Sequence, residues 1–261
     1  MPDQISDTHL ELMIKMLREL DPMSTGSLDG LDYNIIRKTV RQVSPLEIPG
    51  TARQKRVDKA SMFIINTIYN VALGKVDEDA AIMMRACRLI MIGKKDGGQR
   101  PISVGQVYRR LAGRFLMKVY NAEAIQALGA HQTAMQSNGT TKTAMAIQTH
   151  LEQHPDFVAM ALDAKNAFNS VDREIMLELT VMLCPFTFQY LYRMYGEQAI
   201  LRVVQAEKEE DMFIRSAQGA QQGDPLGMLL FCCAMTTVLK SGLDYMEHLK
   251  RQWKEDHKGQ L

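Results

Sequence analysis

The residues best suited to chemistry are one carboxylate after an apolar run and a group of basic side chains around a turn. Asp163 directly follows FVAMAL, residues 157–162, a run that predicts a strand buried on both faces. A carboxylate at the end of such a strand is held rigidly and still reaches solvent. Carboxylate oxygens are preferred ligands of Mg²⁺ and Mn²⁺, so Asp163 is a candidate metal ligand. An aspartate that merely ends a strand at a turn is the plain alternative.

The basic candidates surround the dipeptide Asp96-Gly97, which is a strong signal for a tight turn between two strands. The predicted β-hairpin gathers cationic side chains near its tip. A guanidinium grips phosphate oxygens with two hydrogen bonds, whereas an ammonium acts as a point charge. Which lysine shares a face with the arginine depends on strand register, and the sequence leaves this open. The candidates for phosphate contact are Lys94, Lys95 and Arg100.

Residues 106–120 predict a helix that carries three more arginines. Segment 85–118 as a whole holds nine basic residues against the single acidic residue Asp96. It is therefore a candidate surface for the nucleic-acid backbone, where contacts give affinity without base preference. A solvated helix and hairpin with scattered charge is an equal alternative. On the first interpretation, nucleic-acid phosphates are contacted by Arg109, Arg110 and Arg114.

Several further elements must position these residues. Apolar residues at helical spacing predict helices over 7–20 and 57–74, and another helix begins near 172. A second hairpin is predicted from LRVVQA and MFIR, joined by the acidic turn EKEED. Asp224 and Pro225 are suited to be the N-cap and first residue of a long apolar helix. Because capping accounts for Asp224, we do not count it as a second metal ligand.

Four ordered segments resemble the reverse transcriptase family, particularly the enzymes of non-LTR retrotransposons. They are STGSLDGLDYNIIRK at 24–38, KKDGGQRPISVG at 94–105, ALDAKNAFNSVDR at 161–173 and QQGDPLG at 221–227. The resemblance implies an α+β fold, helix-rich, with a fingers β-hairpin and a small antiparallel palm sheet of a right-hand polymerase. It implies a fingers-like region with N-terminal helices over 1–130 and a partial palm over 131–261.

The resemblance also implies roles for individual residues. Asp163 is the catalytic, metal-binding carboxylate, while Lys94 and Arg100 contact the triphosphate of the incoming nucleotide. Phe168 matches the bulky gate that excludes a ribose 2′-hydroxyl, although an aromatic core residue is its plain alternative. The positions that pack against the nucleotide and template base are Gln222 and Gly223.

The implied reaction is nucleotidyl transfer from deoxynucleoside triphosphates to a DNA primer on an RNA template, assisted by two Mg²⁺ or Mn²⁺ ions. Relatives carry a second palm hairpin with paired aspartates after the segment matching QQGDPLG. No such pair follows here, since Glu255-Asp256 ends a charged helical stretch. We expect a chain truncated before that motif, with no thumb, that does not polymerise alone.

Composition limits the remaining possibilities. No stretch approaches the roughly eighteen apolar residues that a bilayer span requires, and the N-terminus lacks a basic region before an apolar one. We therefore expect an intracellular protein with no membrane partner, and the nucleus fits a retroelement enzyme. The four cysteines lack the spacing of a zinc site. Oligomeric state is left open.

Three other functions compete with a reverse transcriptase. An RNA-templated RNA polymerase shares the palm and the leading aspartate, but usually has a second aspartate where this chain has Phe168. A noncatalytic nucleic-acid-binding module keeps the basic hairpin without a complete metal site. A small helical interaction protein would have no nucleic-acid role.

Overall fold

The computed structural model describes residues 1–40, 58–95, 97–204, 212–256 and 258. Asp96 of the predicted hairpin turn and the acidic turn EKEED lie outside the described residues. The helices are α1 (Asp7–Arg18), α2 (Tyr33–Val40), α3 (Lys59–Ala72), α4 (Glu78–Arg85), α5 (Val107–Leu128), α6 (Gly139–Gln153), α7 (Ala167–Ser170), α8 (Arg173–Leu183), α9 (Phe188–Tyr195) and α10 (Gly227–Asp256), with a 3₁₀ turn at Pro185–Thr187. The strands are β1 (Cys87–Gly93), β2 (Gln99–Gly105), β3 (Ala199–Val203) and β4 (Met212–Ser216).

Several helices begin where the sequence supplies a side chain that caps the first turn. In each case a hydroxyl or carboxylate oxygen accepts a hydrogen bond from the backbone N–H three residues later, which satisfies one of the otherwise unpaired donors. These caps confirm the helices predicted over 7–20, 57–74 and from 172. The capping residues are Ser6, Asp58, Asp77 and Asp172.

The four described strands form one mixed sheet in the order β2-β1-β3-β4. Both predicted hairpins are confirmed as antiparallel pairs, and β1 joins them by pairing with β3 in parallel. Alternate side chains of the two central strands meet in a small apolar cluster beneath the sheet. The α+β class is thus confirmed, but the sheet is mixed instead of antiparallel. The cluster consists of Cys87, Leu89, Leu201 and Val203.

The main core lies among helices from both ends of the chain. Apolar faces of α1, α2 and α3 pack with α5, α9 and the first turns of α10. By length and composition α10 could also cross a membrane, with 39% of the relevant window buried inside the fold. The core helix of a globular protein can have the same length and composition. The helix that carries the arginines, α5, packs against α1, α3, α8 and α10.

The predicted buried strand at 157–162 is wrong. The segment has no regular secondary structure and is exposed, with Phe157 57%, Val158 91%, Met160 79% and Leu162 85% accessible. A strand buried on both faces needs neighbours in a sheet, and the four described strands pair only with one another. Within the described part of the chain, the backbone groups of 158–164 make no backbone hydrogen bond. The apolar composition of the segment therefore led to a strand prediction, but none of the described strands pairs with it.

Candidate nucleotide and nucleic-acid site

Lys94 and Arg100 lie at the exposed tip of the β1–β2 hairpin. The Lys94 N–H donates to Gly98 O at 2.7 Å and closes the turn. Arg100 pairs with Ile92 across the hairpin, and side chains two residues apart in a strand share one face. Lys94 and Lys95 follow the end of β1 at Gly93 and belong to the turn, where strand alternation does not apply. Both lysines therefore stay candidates for the second cation beside Arg100.

The 216–224 loop, which runs from the last residue of β4 to Asp224, is hydrogen-bonded both to this hairpin and to α7. The Ser103 N–H in β2 donates to Gln222 O at 2.7 Å, and the Ala220 N–H donates to Phe168 O at 2.8 Å. The loop therefore lies between the strand that carries Arg100 and the short helix that carries the predicted sugar gate. Two of the four segments that suggested function are joined directly by the bond between Ser103 and Gln222, and the segment with Phe168 is joined through Ala220, which precedes QQGDPLG.

Two glycines allow the loop to approach its neighbours so closely. Gly219 has a φ of +63°, and a Cβ there would collide with Phe168 O. Gly223 has a φ of +116°, and its Cβ would lie 2.6 Å from Ser103 O. Both backbone conformations and both contacts favour a residue without a side chain. Gly223 thus lies close against strand β2, while its contact with a nucleotide stays a prediction.

Arg109 forms a buried ion pair with Asp224 at the end of the loop. Its Nη2 lies 2.7 Å from Asp224 Oδ2, and the two side chains are 1% and 2% exposed. Burial by itself would lower the pKa of Arg109, but Asp224, together with smaller contributions from Tyr195, Cys87 and Tyr190, raises that pKa above its ordinary value. The predicted contact of Arg109 with nucleic acid is therefore wrong, because its charge is buried and neutralised.

Asp224 itself does more than end the loop. The predicted N-cap at Asp224 and helix start at Pro225 are wrong, because α10 begins at Gly227. Asp224 Oδ1 instead accepts a hydrogen bond from the Leu226 N–H at 2.9 Å in the turn before the helix, and Oδ2 is paired with Arg109. The decision not to treat Asp224 as a metal ligand is supported, although capping alone does not explain it.

Arg110 also points inwards. Its Nη1 and Nη2 donate to Ser24 Oγ at 3.4 Å and Thr25 O at 3.0 Å, and its guanidinium lies 4.5 Å from the Tyr33 ring centroid. With 8% of the residue exposed, these contacts hold the N-terminal segment on α5. The structure thus corrects the prediction that Arg110 contacts phosphate. Burial lowers the pKa of Arg110, and the charge of Arg114 contributes in the same direction.

Arg114 remains the candidate for backbone contact on α5. It is half-buried, and its guanidinium carbon lies 5.7 Å from the Tyr33 ring centroid. Among the described residues no salt bridge is found for Arg114. A half-exposed guanidinium without a carboxylate partner can still meet a phosphate, so the prediction for Arg114 stands untested.

Arg173 holds the beginning of the same loop and was not singled out from the sequence. Its Nε donates to Gly219 O at 3.0 Å, Nη1 donates to Ser216 O at 2.8 Å, and Nη2 donates to Gln218 O at 2.9 Å. A basic residue at the first position of a helix opposes the helix dipole. That unfavourable placement was the available signal that Arg173 has a specific partner.

Asp163 is exposed and lies five residues before Phe168. Its carboxylate suits a hard divalent cation, but two ions need more ligands than one side chain offers. Within the described ranges, no three His, Cys, Asp or Glu side chains come together as a metal-binding group. The described residues alone therefore do not form a two-ion site.

Phe168 is half-buried, and its ring stacks on Phe231 of α10 with centroids 4.9 Å apart. Asn166, whose φ of +53° is tolerated by asparagine, turns the chain into α7 just before it. The contact with Phe231 fixes one face of the Phe168 ring. Both the gate and the core interpretations are compatible with this position.

A family model described as reverse transcriptase (RNA-dependent DNA polymerase) matches residues 92–250, which is more than half of the chain. The chain belongs to the reverse transcriptase family. The match covers the tip of the fingers hairpin, the segment with Asp163, the 216–224 loop and most of α10. The family inferred from the four motifs is thereby confirmed.

A curated relative adds detail to the reverse transcriptase assignment. The chain is 30% identical over 167 residues to the retrovirus-related Pol polyprotein from type-1 retrotransposable element R2 of Nasonia vitripennis. The alignment covers 59% of this chain and 16% of that polyprotein. This relative confirms the expectation of a non-LTR retrotransposon type.

A solved structure of apo telomerase from Candida tropicalis, truncated from its C-terminal domain, is also similar. It aligns with 83% of this chain and 50% of its own, at 15% identity and a TM-score of 0.44. At that level of similarity it carries no argument about the site of this reverse transcriptase.

Proposed function

We propose that this chain forms the nucleotide-holding part of an RNA-directed DNA polymerase of a retroelement. Residues 1–130 would be the fingers-like region and 131–261 the partial palm. The proposal rests mainly on the 216–224 loop, which hydrogen-bonds to the strand that carries Arg100 and to the helix that carries Phe168. Its substrates are an RNA template, a DNA primer and deoxynucleoside triphosphates.

Each side chain has a part in holding these substrates. Arg100 and Lys94 grip the triphosphate, because two cations near one hairpin tip can bind adjacent phosphates. Lys95 is the alternative to Lys94. Phe168 lies under the sugar and disfavours a 2′-hydroxyl. Gln222 and Gly223 contact the nucleotide, and Arg114 contacts the nucleic-acid backbone.

Enzymes of this family generally use divalent metal ions. We propose that Asp163 supplies one ligand to Mg²⁺ or Mn²⁺, and that the binding of two ions requires further carboxylate ligands. Supporting this is the absence of a metal-binding cluster within the described ranges. The 261-residue chain should therefore bind its substrates without extending a primer. As a retroelement enzyme it would act inside the cell, in the nucleus.

Binding and extension assays on the purified chain test this function. A labelled RNA–DNA primer-template should bind with an affinity that falls between about 50 and 200 mM salt. A fluorescent deoxynucleotide should bind less tightly to Arg100→Ala than to the parent, whereas Arg18→Ala, a surface arginine of α1, should have no effect. Magnesium-dependent extension by the chain alone would contradict the incomplete metal site. Absence of both binding activities would refute the proposal.

The sugar gate has its own test. Phe168→Ala should narrow the ratio between deoxynucleotide and ribonucleotide affinities, because the ring no longer opposes the 2′-hydroxyl. Phe231→Ala removes the stacked neighbour of Phe168 but leaves the ring itself, and serves as the control for loss of packing. Equal ratios in the parent and in Phe168→Ala would assign Phe168 to the core alone.

A noncatalytic nucleic-acid-binding role is the second candidate, and the absence of a metal-binding cluster among the residues that the structure describes favours it. The two candidates differ when a pair of aspartates is supplied. A fusion carrying the paired-aspartate hairpin of a relative should extend primers if Asp163 is a competent ligand, and Asp163→Asn in the fusion should abolish extension. A fusion that binds primer-template but never extends it would support the noncatalytic role.

A further inference from the structure

Tyr195 lies at the centre of the contacts that hold the 216–224 loop. It is the last residue of α9 and is 2% exposed. The Gln221 N–H donates to its hydroxyl at 3.4 Å. The guanidinium carbons of Arg109 and Arg173 lie 4.9 and 5.5 Å from the centroid of its ring. One side chain therefore contacts the middle of the loop and both arginines that anchor its ends.

The two arginines divide the loop between them. Arg173 binds three carbonyl oxygens at its beginning, and Arg109 binds the carboxylate of Asp224 at its end. Both cations contact one aromatic ring, an arrangement that attracts each of them to the π-electrons. Their mutual repulsion is offset because each guanidinium also has its own acceptors. The ring of Tyr195 thus holds the two anchors in a fixed relation.

Between these anchors, the loop leaves few backbone groups free to move. Ala220 bonds to α7, Gln222 bonds to β2, and the Gln221 side chain lies 3.1 Å from Cys87 Sγ. Gly223 is exposed and Gln222 is half-exposed, and these are the residues proposed to contact the nucleotide. A rigid frame with two accessible residues is suited to place them without further ordering when a ligand binds.

We propose that Tyr195 is a positioning residue for nucleotide binding, which fixes the loop backbone so that Gln222 and Gly223 meet the incoming nucleotide. This inference rests on the proposed function. Because Tyr195 is buried, it acts through the loop and does not touch the nucleotide. Its hydroxyl sets the position of the Gln221 backbone N–H, and its ring sets the positions of Arg109 and Arg173.

Tyr190, five residues earlier in the same helix, provides a matched comparison. It is equally buried, and its hydroxyl donates to Arg109 O at 3.1 Å in α5 instead of accepting from the loop. Tyr190→Phe and Tyr195→Phe each remove one buried hydroxyl and keep one ring. They differ in whether the lost hydrogen bond belongs to the loop.

The test compares these two variants of the full chain. The affinity for a fluorescent deoxynucleotide, the affinity for an RNA–DNA primer-template and amide hydrogen exchange are measured for each. Tyr195→Phe should weaken nucleotide binding about three- to tenfold, the effect of one hydrogen bond, and speed exchange at Gln221. Its primer-template affinity should stay within about twofold of the parent, since the bond removed lies in the loop and not among the phosphate contacts. Tyr190→Phe should change neither the nucleotide affinity nor the exchange of Gln221.

Other outcomes overturn the inference. If both variants weaken nucleotide binding equally, the hydroxyl of Tyr195 has only a general packing role. If Tyr195→Phe leaves Gln221 exchange and nucleotide affinity unchanged, Tyr195 does not position the loop. If the parent binds no nucleotide, the proposed function fails, and exchange at Gln221 alone decides whether Tyr195 anchors the loop.

A second variant keeps the inference testable if Tyr195→Phe fails to fold. Arg173→Lys retains the charge beside the ring but loses the planar fork that binds three carbonyl oxygens. It should likewise weaken nucleotide binding more than primer-template binding. Equal loss of both affinities would contradict a role specific to the loop.

Discussion

Asp224→Asn should strongly destabilise the protein, because it leaves the charge of Arg109 buried without a counterion. Asparagine keeps the size of the side chain and the oxygen that accepts from the Leu226 N–H, so the change is confined to the ion pair. Removing one partner of a buried pair costs about 3–5 kcal/mol. For a chain of this size the melting temperature should fall by roughly 6–20 °C. Circular dichroism during thermal unfolding measures this shift.

A matched exposed pair serves as the control. Lys75 Nζ lies 2.9 Å from Asp3 Oδ1, close to the 2.7 Å of the buried pair, but the side chains are 46% and 90% exposed. Water already solvates both of these charges, so Asp3→Asn should leave the melting temperature nearly unchanged. Comparable shifts for Asp3→Asn and Asp224→Asn would show that burial is not the cause.

A double-mutant cycle separates the free energy of the ion pair from the effect of losing each side chain. Arg109→Met leaves Asp224 buried and charged, whereas the combined variant Arg109→Met/Asp224→Asn leaves no charge at all. Its free energy of unfolding should exceed the additive expectation by about 2 kcal/mol. Additivity within about 0.5 kcal/mol would refute the reasoning, since independent sites behave in that way.

Three further measurements follow from the site and the core. Arg114→Ala should reduce the slope of log affinity against log salt for primer-template binding by about one, whereas the buried Arg109→Met should leave it unchanged. Gly223→Ala places a Cβ 2.6 Å from Ser103 O and should weaken nucleotide binding, with about 1–3 kcal/mol of stability lost in urea unfolding. Burial lowers the pKa of His9 below 6.5, so the unfolded chain binds the proton more tightly than the folded chain. Thermal stability should therefore decline as the pH falls through 6.5. A melting temperature of the parent that does not change with pH in this range would contradict the prediction.

Elements set by local sequence were predictable. The Asp96-Gly97 signal identified the β1–β2 hairpin, and helical spacing identified α1, α3 and α8 within a few residues of their ends. These features depend on neighbours in the chain, so the sequence contains the cause. The parallel pairing of β1 with β3 joins segments more than a hundred residues apart and had no local signal.

Burial of particular side chains was not predictable in the same way. Arg109 and Arg110 have the charge of phosphate-binding residues, and only the position of α5 in the fold shows that they point inwards. Residues 157–162 have the composition of a buried strand, yet composition does not supply the neighbouring strands that bury it. In both cases the deciding contacts come from distant parts of the chain. The motifs therefore located the candidate site, but they did not show which of its arginines are buried in the fold and which are free to bind a ligand.

The hydrogen bond from Ser103 to Gln222 also limits how the β1–β2 hairpin can bend. The base of the hairpin and the 216–224 loop must move as one rigid body, because this bond and the close approach of Gly223 connect them. Arg100 lies three residues nearer the tip than Ser103, with Pro101 paired to Met91 between them. We therefore expect any bending of the hairpin to occur between Arg100 and Ser103, so that the tip moves while the base stays with the loop.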